Sequence, residues 1–115
     1  MRVLTELTET PVQRFKVPVN GLRSDVDFKL YFAPTQMSWY FDFICEGKEY
    51  KGNKLVLGSN ILRGFKNIIP FGLNVYADKG IEPFALDDFA TGRVTLSILD
   101  ADEVKEVEGN VFNIW

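Results

Sequence analysis

The chain has 115 residues, 46% hydrophobic, 14% aromatic and 25% charged, which matches one folded domain and excludes a disordered or multidomain chain. Thirteen Lys and Arg against sixteen Asp and Glu leave a formal charge of -3, the wrong sign for affinity built on phosphate neutralisation, so no nucleic acid is expected as partner. With no histidine and a single cysteine, Cys45, the chain lacks the commonest general base and metal ligand and cannot close an internal disulfide; no catalysis and no cofactor are expected.

From the amino terminus, Met1 to Glu6 turns polar and acidic before a signal-peptide core can develop, and residues 1–11 read as an arm. The longest apolar runs are a few residues against the roughly 20 that cross a bilayer, so no membrane insertion is expected and the protein should stay in the cytoplasm that makes it until lysis. Phe15, Val17 and Val19 alternate with Lys16 and Pro18, which predicts a strand, placed at an edge because Pro18 has no amide hydrogen. Asn20-Gly21 predicts a tight hairpin into the next strand, whose Val26, Phe28, Leu30 and Phe32 share one face.

Beyond Pro34, the run Trp39 to Cys45 puts Trp39, Phe41, Phe43 and Cys45 on one face and Tyr40, Asp42 and Ile44 on the other. Glu46-Gly47 turns into a strand from Lys48 to Tyr50, Gly52 marks a bulge or corner, and Leu55 to Leu57 resumes extended structure. Ser59 or Asn60 caps a single helical turn at Ile61 to Arg63. Ile68 to Tyr76 is extended, Asp78 to Gly80 turns, Pro83 to Phe89 forms a short helix, and Val94, Leu96 and Ile98 face the core from a last clear strand.

These elements predict a mostly β domain over residues 1–99, a small antiparallel β-sandwich or partly open β-barrel with one or two short helical turns. Its core candidates are Phe28, Leu30, Phe32, Trp39, Phe41, Phe43, Leu96 and Ile98. Residues 100–115 pair an acidic spacer (Asp100, Asp102, Glu103, Glu106 and Glu108 against Lys105) with an apolar terminus of Val111, Phe112, Ile114 and Trp115. That terminus is either a last core strand or an arm that adds to a neighbouring subunit. Together with Tyr31, Tyr40 and Tyr76 it supplies the interface candidates.

Local chemistry reads as structural. Asp100-Ala101-Asp102 opens like a calcium loop, but Val104 stands where a third oxygen is needed. Asp87 and Asp88 are adjacent and point apart, Cys45 has no histidine to activate it, and Ser59 sits outside any nucleophile elbow. Lys48, Lys51 and Lys54 around Tyr50 suit edge protection better than single-strand binding.

The order of pieces, a Phe-x-Val strand closing on Asn20-Gly21, then Phe28 to Phe32, then Trp39-Tyr40-Phe41-Asp42, then Gly58-Ser59-Asn60-Ile61-Leu62, resembles the baseplate plug proteins of contractile-tailed bacteriophages, of the cyanophage type. Trp39, Tyr40 and Asp42 match one family segment, Gly58, Asn60 and Leu62 a second with Ile61 in place of leucine, and Pro83 with Asp88-Phe89 a third. The likeness spans residues 12–99; Thr95 to Ile98 departs from a tyrosine-rich ending, and the acidic extension has no counterpart. It implies a non-catalytic virion protein of the tail baseplate, assembled in the host cytoplasm. Such a protein packs against hub, spike and other baseplate proteins and closes the tail channel until infection. The alternative class is a carbohydrate-binding β-sandwich for cell-surface attachment, which requires exposed Tyr or Trp lining a groove.

Overall fold

The computed structural model describes residues 2–65 and 68–112, with side chains described as far as residue 107. Its strands are β1 (Arg2–Val3), β2 (Val12–Val17), β3 (Val26–Ala33), β4 (Ser38–Cys45), β5 (Lys48–Lys54), β6 (Gly72–Ala77) and β7 (Val94–Leu99). They form two antiparallel sheets, ordered β2-β3-β4-β5 and β1-β7-β6, and among the described residues no pairing closes them into a barrel. The protein is mostly β, as the alternation of its apolar residues predicts.

One core lies between the sheets. Phe28, Leu30, Trp39, Phe41, Phe43 and Cys45 enter it from the four-stranded sheet, and Leu73, Val75, Leu96 and Ile98 from the other. Phe71, just before β6, meets Phe28 and Phe43 edge-on at ring-centroid distances of 6.2 and 5.8 Å, which knits the sheets through aromatic contacts rather than through main-chain bonds. Phe32 is only half-buried, packed at the rim against Trp39.

The turns depart from expectation in an instructive way. Asn20-Gly21 does not make a two-residue hairpin. Only Gly21 has positive φ, the Leu22 amide donates to the Val19 carbonyl at 3.2 Å, and the turn sits inside a longer connection over residues 18–25. Positive φ at the third turn position alone suits a type II turn, whereas a tight hairpin needs it at both central residues. That requirement is met at Glu46-Gly47 (φ 51° and 78°), which joins β4 to β5 directly.

Gly52 (φ +72°) makes the expected bulge: the register slips opposite Asp42, whose Oδ1 accepts from the Gly52 amide at 2.8 Å. Leu55 to Leu57 leaves the sheet, and the chain crosses to the second sheet, where Gly58 bridges Val75 and the Ile61 amide bonds Leu73 at 2.9 Å. The helical turn follows as a 3₁₀ turn at Arg63–Phe65, and a second lies at Asp78–Gly80.

Two expectations about helix are corrected, one where a helix was expected and one where none was. Residues 83–89 form no helix but an irregular segment ending in turns, because the Asp88 carboxylate takes the Phe84 and Ala85 amides, both at 2.8 Å, and bends the chain back on itself. The acidic spacer is helical instead: α1 spans Ala101–Phe112, so Val111 and Phe112 are not a strand. Asp100 Oδ1 accepts from the Glu103 amide at 2.9 Å while Glu103 Oε1 accepts from the Asp100 amide at 3.1 Å, a reciprocal cap that starts the helix and uses the carboxylates read as a possible calcium loop. Half-buried Val104 and Val107, three apart on one helix face, mark the side of α1 nearer the domain, and α1 contacts β7. No helix among the described residues is long and apolar enough to cross a membrane.

Candidate interaction surface

Among the described residues, the loop between β6 and β7 carries the largest concentration of apolar side chains left in solvent. Ile81, Phe84 and Leu86 are 51%, 45% and 39% exposed, while Pro83, Asp88 and Phe89 within the same loop are buried. An apolar loop in water would ordinarily fold its side chains inward; here its backbone is pinned from three sides.

Asp88 is the centre of the pin. Arg93 donates to it through Nε (to Oδ1) and Nη2 (to Oδ2), each at 2.8 Å, in the two-pronged geometry that matches a guanidinium to a carboxylate. The guanidinium also donates to the Ile81 and Glu82 carbonyls at 2.8 and 3.0 Å and lies 4.7 Å from the Phe84 ring centroid. Burial by itself raises the Asp88 carboxyl pKa, but the Arg93 bonds and the Ala85 and Phe84 amides outweigh it and hold the group below the usual carboxylate range. The same bonds raise Arg93. From beneath, the fully buried Trp39 donates its Nε1 hydrogen to the Ala85 carbonyl at 3.0 Å, and Phe89 packs edge-on against the indole at 4.9 Å. The loop is held in one shape before any partner arrives.

A second surface is the outer face of the four-stranded sheet. Tyr31 and Tyr40 stand opposite one another and stack at 5.9 Å, flanked along the same row by Val12 and Lys54. The next rows carry Arg14, Lys29 and Asp42, then Lys16, Asp27, Ile44 and Glu49, around a concavity of about 610 Å³. The Tyr31 hydroxyl donates to Asp42 Oδ1 at 3.1 Å; burial first, then this bond, push the phenol above its ordinary value and keep it a neutral donor. Lys16 and Lys51 are paired with Asp27 and Glu49, while Lys29 lies over the Tyr31 ring. The face therefore holds an excess of positive charge on an acidic chain.

The candidate tyrosines separate accordingly. Tyr31 and Tyr40 come together, but Tyr76 stands on the other sheet, 62% exposed. No tyrosine lines the 610 Å³ concavity, and Tyr31 and Tyr40 each turn one ring face to the other. Val111 and Phe112 belong to α1; Ile114 and Trp115 lie outside the described residues. Cys45 is buried at the end of β4, where burial and then the Glu46 carboxylate raise the thiol pKa and oppose the thiolate a nucleophile needs.

Ile81, Phe84, Leu86 and Arg93 escape the sequence reading because a short helix over 83–89 accounts for Phe84 and Leu86 and no motif singles out Ile81 or Arg93. The available signal was Pro83 between exposed-length hydrophobics, followed by Asp88 and an arginine five residues on. Several residues that carry the family resemblance prove to be backbone pins. Trp39 holds Ala85, Asp42 holds Gly52, Asp88 holds Phe84 and Ala85, and Asn60 Oδ1 accepts from the Leu62 and Leu73 amides at 3.1 and 3.2 Å. Residues 2–102 match the family model described as cyanophage baseplate Pam3 plug gp18. No curated protein matches the chain.

Proposed function

The chain belongs to the cyanophage baseplate plug family, structural proteins of the virion tail, and from that premise we propose that it fills or lines the hub channel at the tail tip by packing against other baseplate proteins. The observation that carries this reading is the pinned loop: Ile81, Phe84 and Leu86 are exposed on a backbone fixed by Asp88, Arg93 and Trp39. A surface already ordered gives up little conformational freedom on docking. An apolar anchor with a polar rim, here Glu82, Asp87 and Lys79, is the usual arrangement of a binding hot spot. Hub, spike and adjoining baseplate subunits are the proposed partners, reached after folding in the host cytoplasm.

The outer sheet face serves as the second contact, with Tyr31 and Tyr40 as a flat apolar step bordered by cations. The test is incorporation. Leu86→Asp changes an exposed side chain that takes no part in the Asp88, Arg93 and Trp39 bonds, so the variant should fold with a melting temperature near that of the parent yet be missing from purified tails. A folded Leu86→Asp protein recovered in tails at parental abundance would remove the loop from the contact.

A further inference from the structure

We propose that β2 is an acceptor edge to which an extended segment of another protein, apolar toward the core and acidic toward solvent, adds as a further strand. The seams between the two sheets differ. On one side the chain crosses at Gly58 to Ile61 and bonds β6, so that edge is covered. On the other side the amino-terminal arm leaves β1 and runs past β2 without pairing to it. Arm and strand are tied at both ends, by Gln13 Nε2 to the Thr8 carbonyl at 2.6 Å and by the Arg2 guanidinium to the Pro18 carbonyl. Between the ties lies an open groove of about 530 Å³.

The edge along that groove is unpaired and regular. The Phe32 amide bonds the Pro11 carbonyl at 2.8 Å, and Val12 stands opposite Tyr31, so the alternation of an antiparallel ladder turns Gln13, Phe15 and Val17 toward β3. The backbone groups of Val12, Arg14 and Lys16 therefore point into the groove, and no hydrogen bond reaches them. By the same alternation, the Leu4 amide bonding the Leu96 carbonyl turns Val3 away from β7 toward the opposite wall. An added strand thus meets donors and acceptors on both sides.

Other edges are protected: β5 is bulged at Gly52 and β1 is two residues long. Pro11 and Pro18 bracket β2, which limits any added strand to the window between them, roughly 20 Å at about 3.3 Å per residue. Half-buried Leu4, Leu7 and Phe15 give the inward face an apolar lining. Arg2, Arg14 and Lys16 against Glu6 make the wall cationic, and Arg14 pairs with no carboxylate among the described residues, which selects acidic side chains on the outward face.

The test reads the edge alone and does not depend on the channel reading. A capped heptapeptide of alternating Val and Glu is added at millimolar concentration, and amide exchange of Val12, Arg14 and Lys16 is followed by NMR. The wild-type protein should show exchange at these amides slowed tenfold or more; Arg14→Ala, which loses one cation of the wall but keeps the backbone edge, should reach the same protection only at higher peptide concentration. Arg14→Pro, which deletes an outward amide and no ladder bond, should show no slowing at Val12 and Lys16. A peptide with Lys in place of Glu should need at least tenfold higher concentration, a comparison that stands even if Arg14→Pro fails to fold. Unchanged exchange in the wild type, equal response to both peptides, or protection that rises with protein concentration without peptide would overturn the proposal, the last by making a second copy the occupant.

Discussion

Arg93→Met isolates the bond network that fixes the exposed loop. Methionine keeps much of the stem that covers Phe84 but leaves Asp88, whose side chain is 3% exposed, without its cationic partner. Removing one member of a buried pair costs about 3–5 kcal/mol, a large fraction of the 5–15 kcal/mol that holds a typical domain. At about 4 °C per kcal/mol for a domain of this size, the melting temperature should fall by roughly 12–20 °C at pH 7. The pH dependence distinguishes a lost charge pair from lost packing. Asp88 titrates below its unfolded value of about 3.9, so its contribution is complete above about pH 4 and disappears as pH falls through the depressed folded pKa. Urea unfolding of both proteins at pH 7, 5, 4 and 3 should give stability curves whose separation narrows below pH 4. Curves that stay parallel, or a difference under 1 kcal/mol at pH 7, would refute the assignment of Asp88 and Arg93 as the loop's pin.

Trp39→Ala removes the largest fully buried side chain and the bond to the Ala85 carbonyl, and should destabilise by about 3–5 kcal/mol; a near-unchanged denaturation midpoint would contradict its place in the core. Gly72→Ala would put a Cβ 2.7 Å from Asn60 Oδ1 and displace the acceptor of the Leu62 and Leu73 amides, costing about 1–3 kcal/mol by thermal melting, whereas Gly64→Ala, in open space, should be close to neutral. Cys45 should react with a thiol reagent only as fast as the domain opens, and rapid stoichiometric labelling of the native protein would contradict its burial.

Strands β2, β3 and β4 were legible because each alternates in burial over enough residues to leave one solution: Trp39, Phe41, Phe43 and Cys45 can share a face only in extended chain. The bulge was legible for the same kind of reason, since Gly52 interrupts an otherwise regular strand. The turn at Glu46-Gly47 was legible in its place, but turn types were not, because Asn-Gly supports positive φ in several turn types and the surrounding chain selects among them; Glu46-Gly47 takes the primed geometry although Glu is a poor residue for it. The loop over 81–93 was misread since its shape comes from a carboxylate and a guanidinium meeting across residues that no periodicity links. The helix over Ala101–Phe112 was hidden by reading its acidic residues as a charge run, when the spacing of Asp100 and Glu103 is a helix start and Val104 and Val107 fall on one face. As a result the outward sheet position of Tyr31 and Tyr40 was legible, while the pinned apolar loop was not.

Cryo-electron microscopy of an intact tail tests the central claim directly. The account predicts the β domain within the tail-tip channel, with Ile81, Phe84 and Leu86 buried against a different polypeptide and the Asp88 to Arg93 bonds unchanged. A channel empty of this chain, or a baseplate position that leaves those three side chains in solvent, would contradict it.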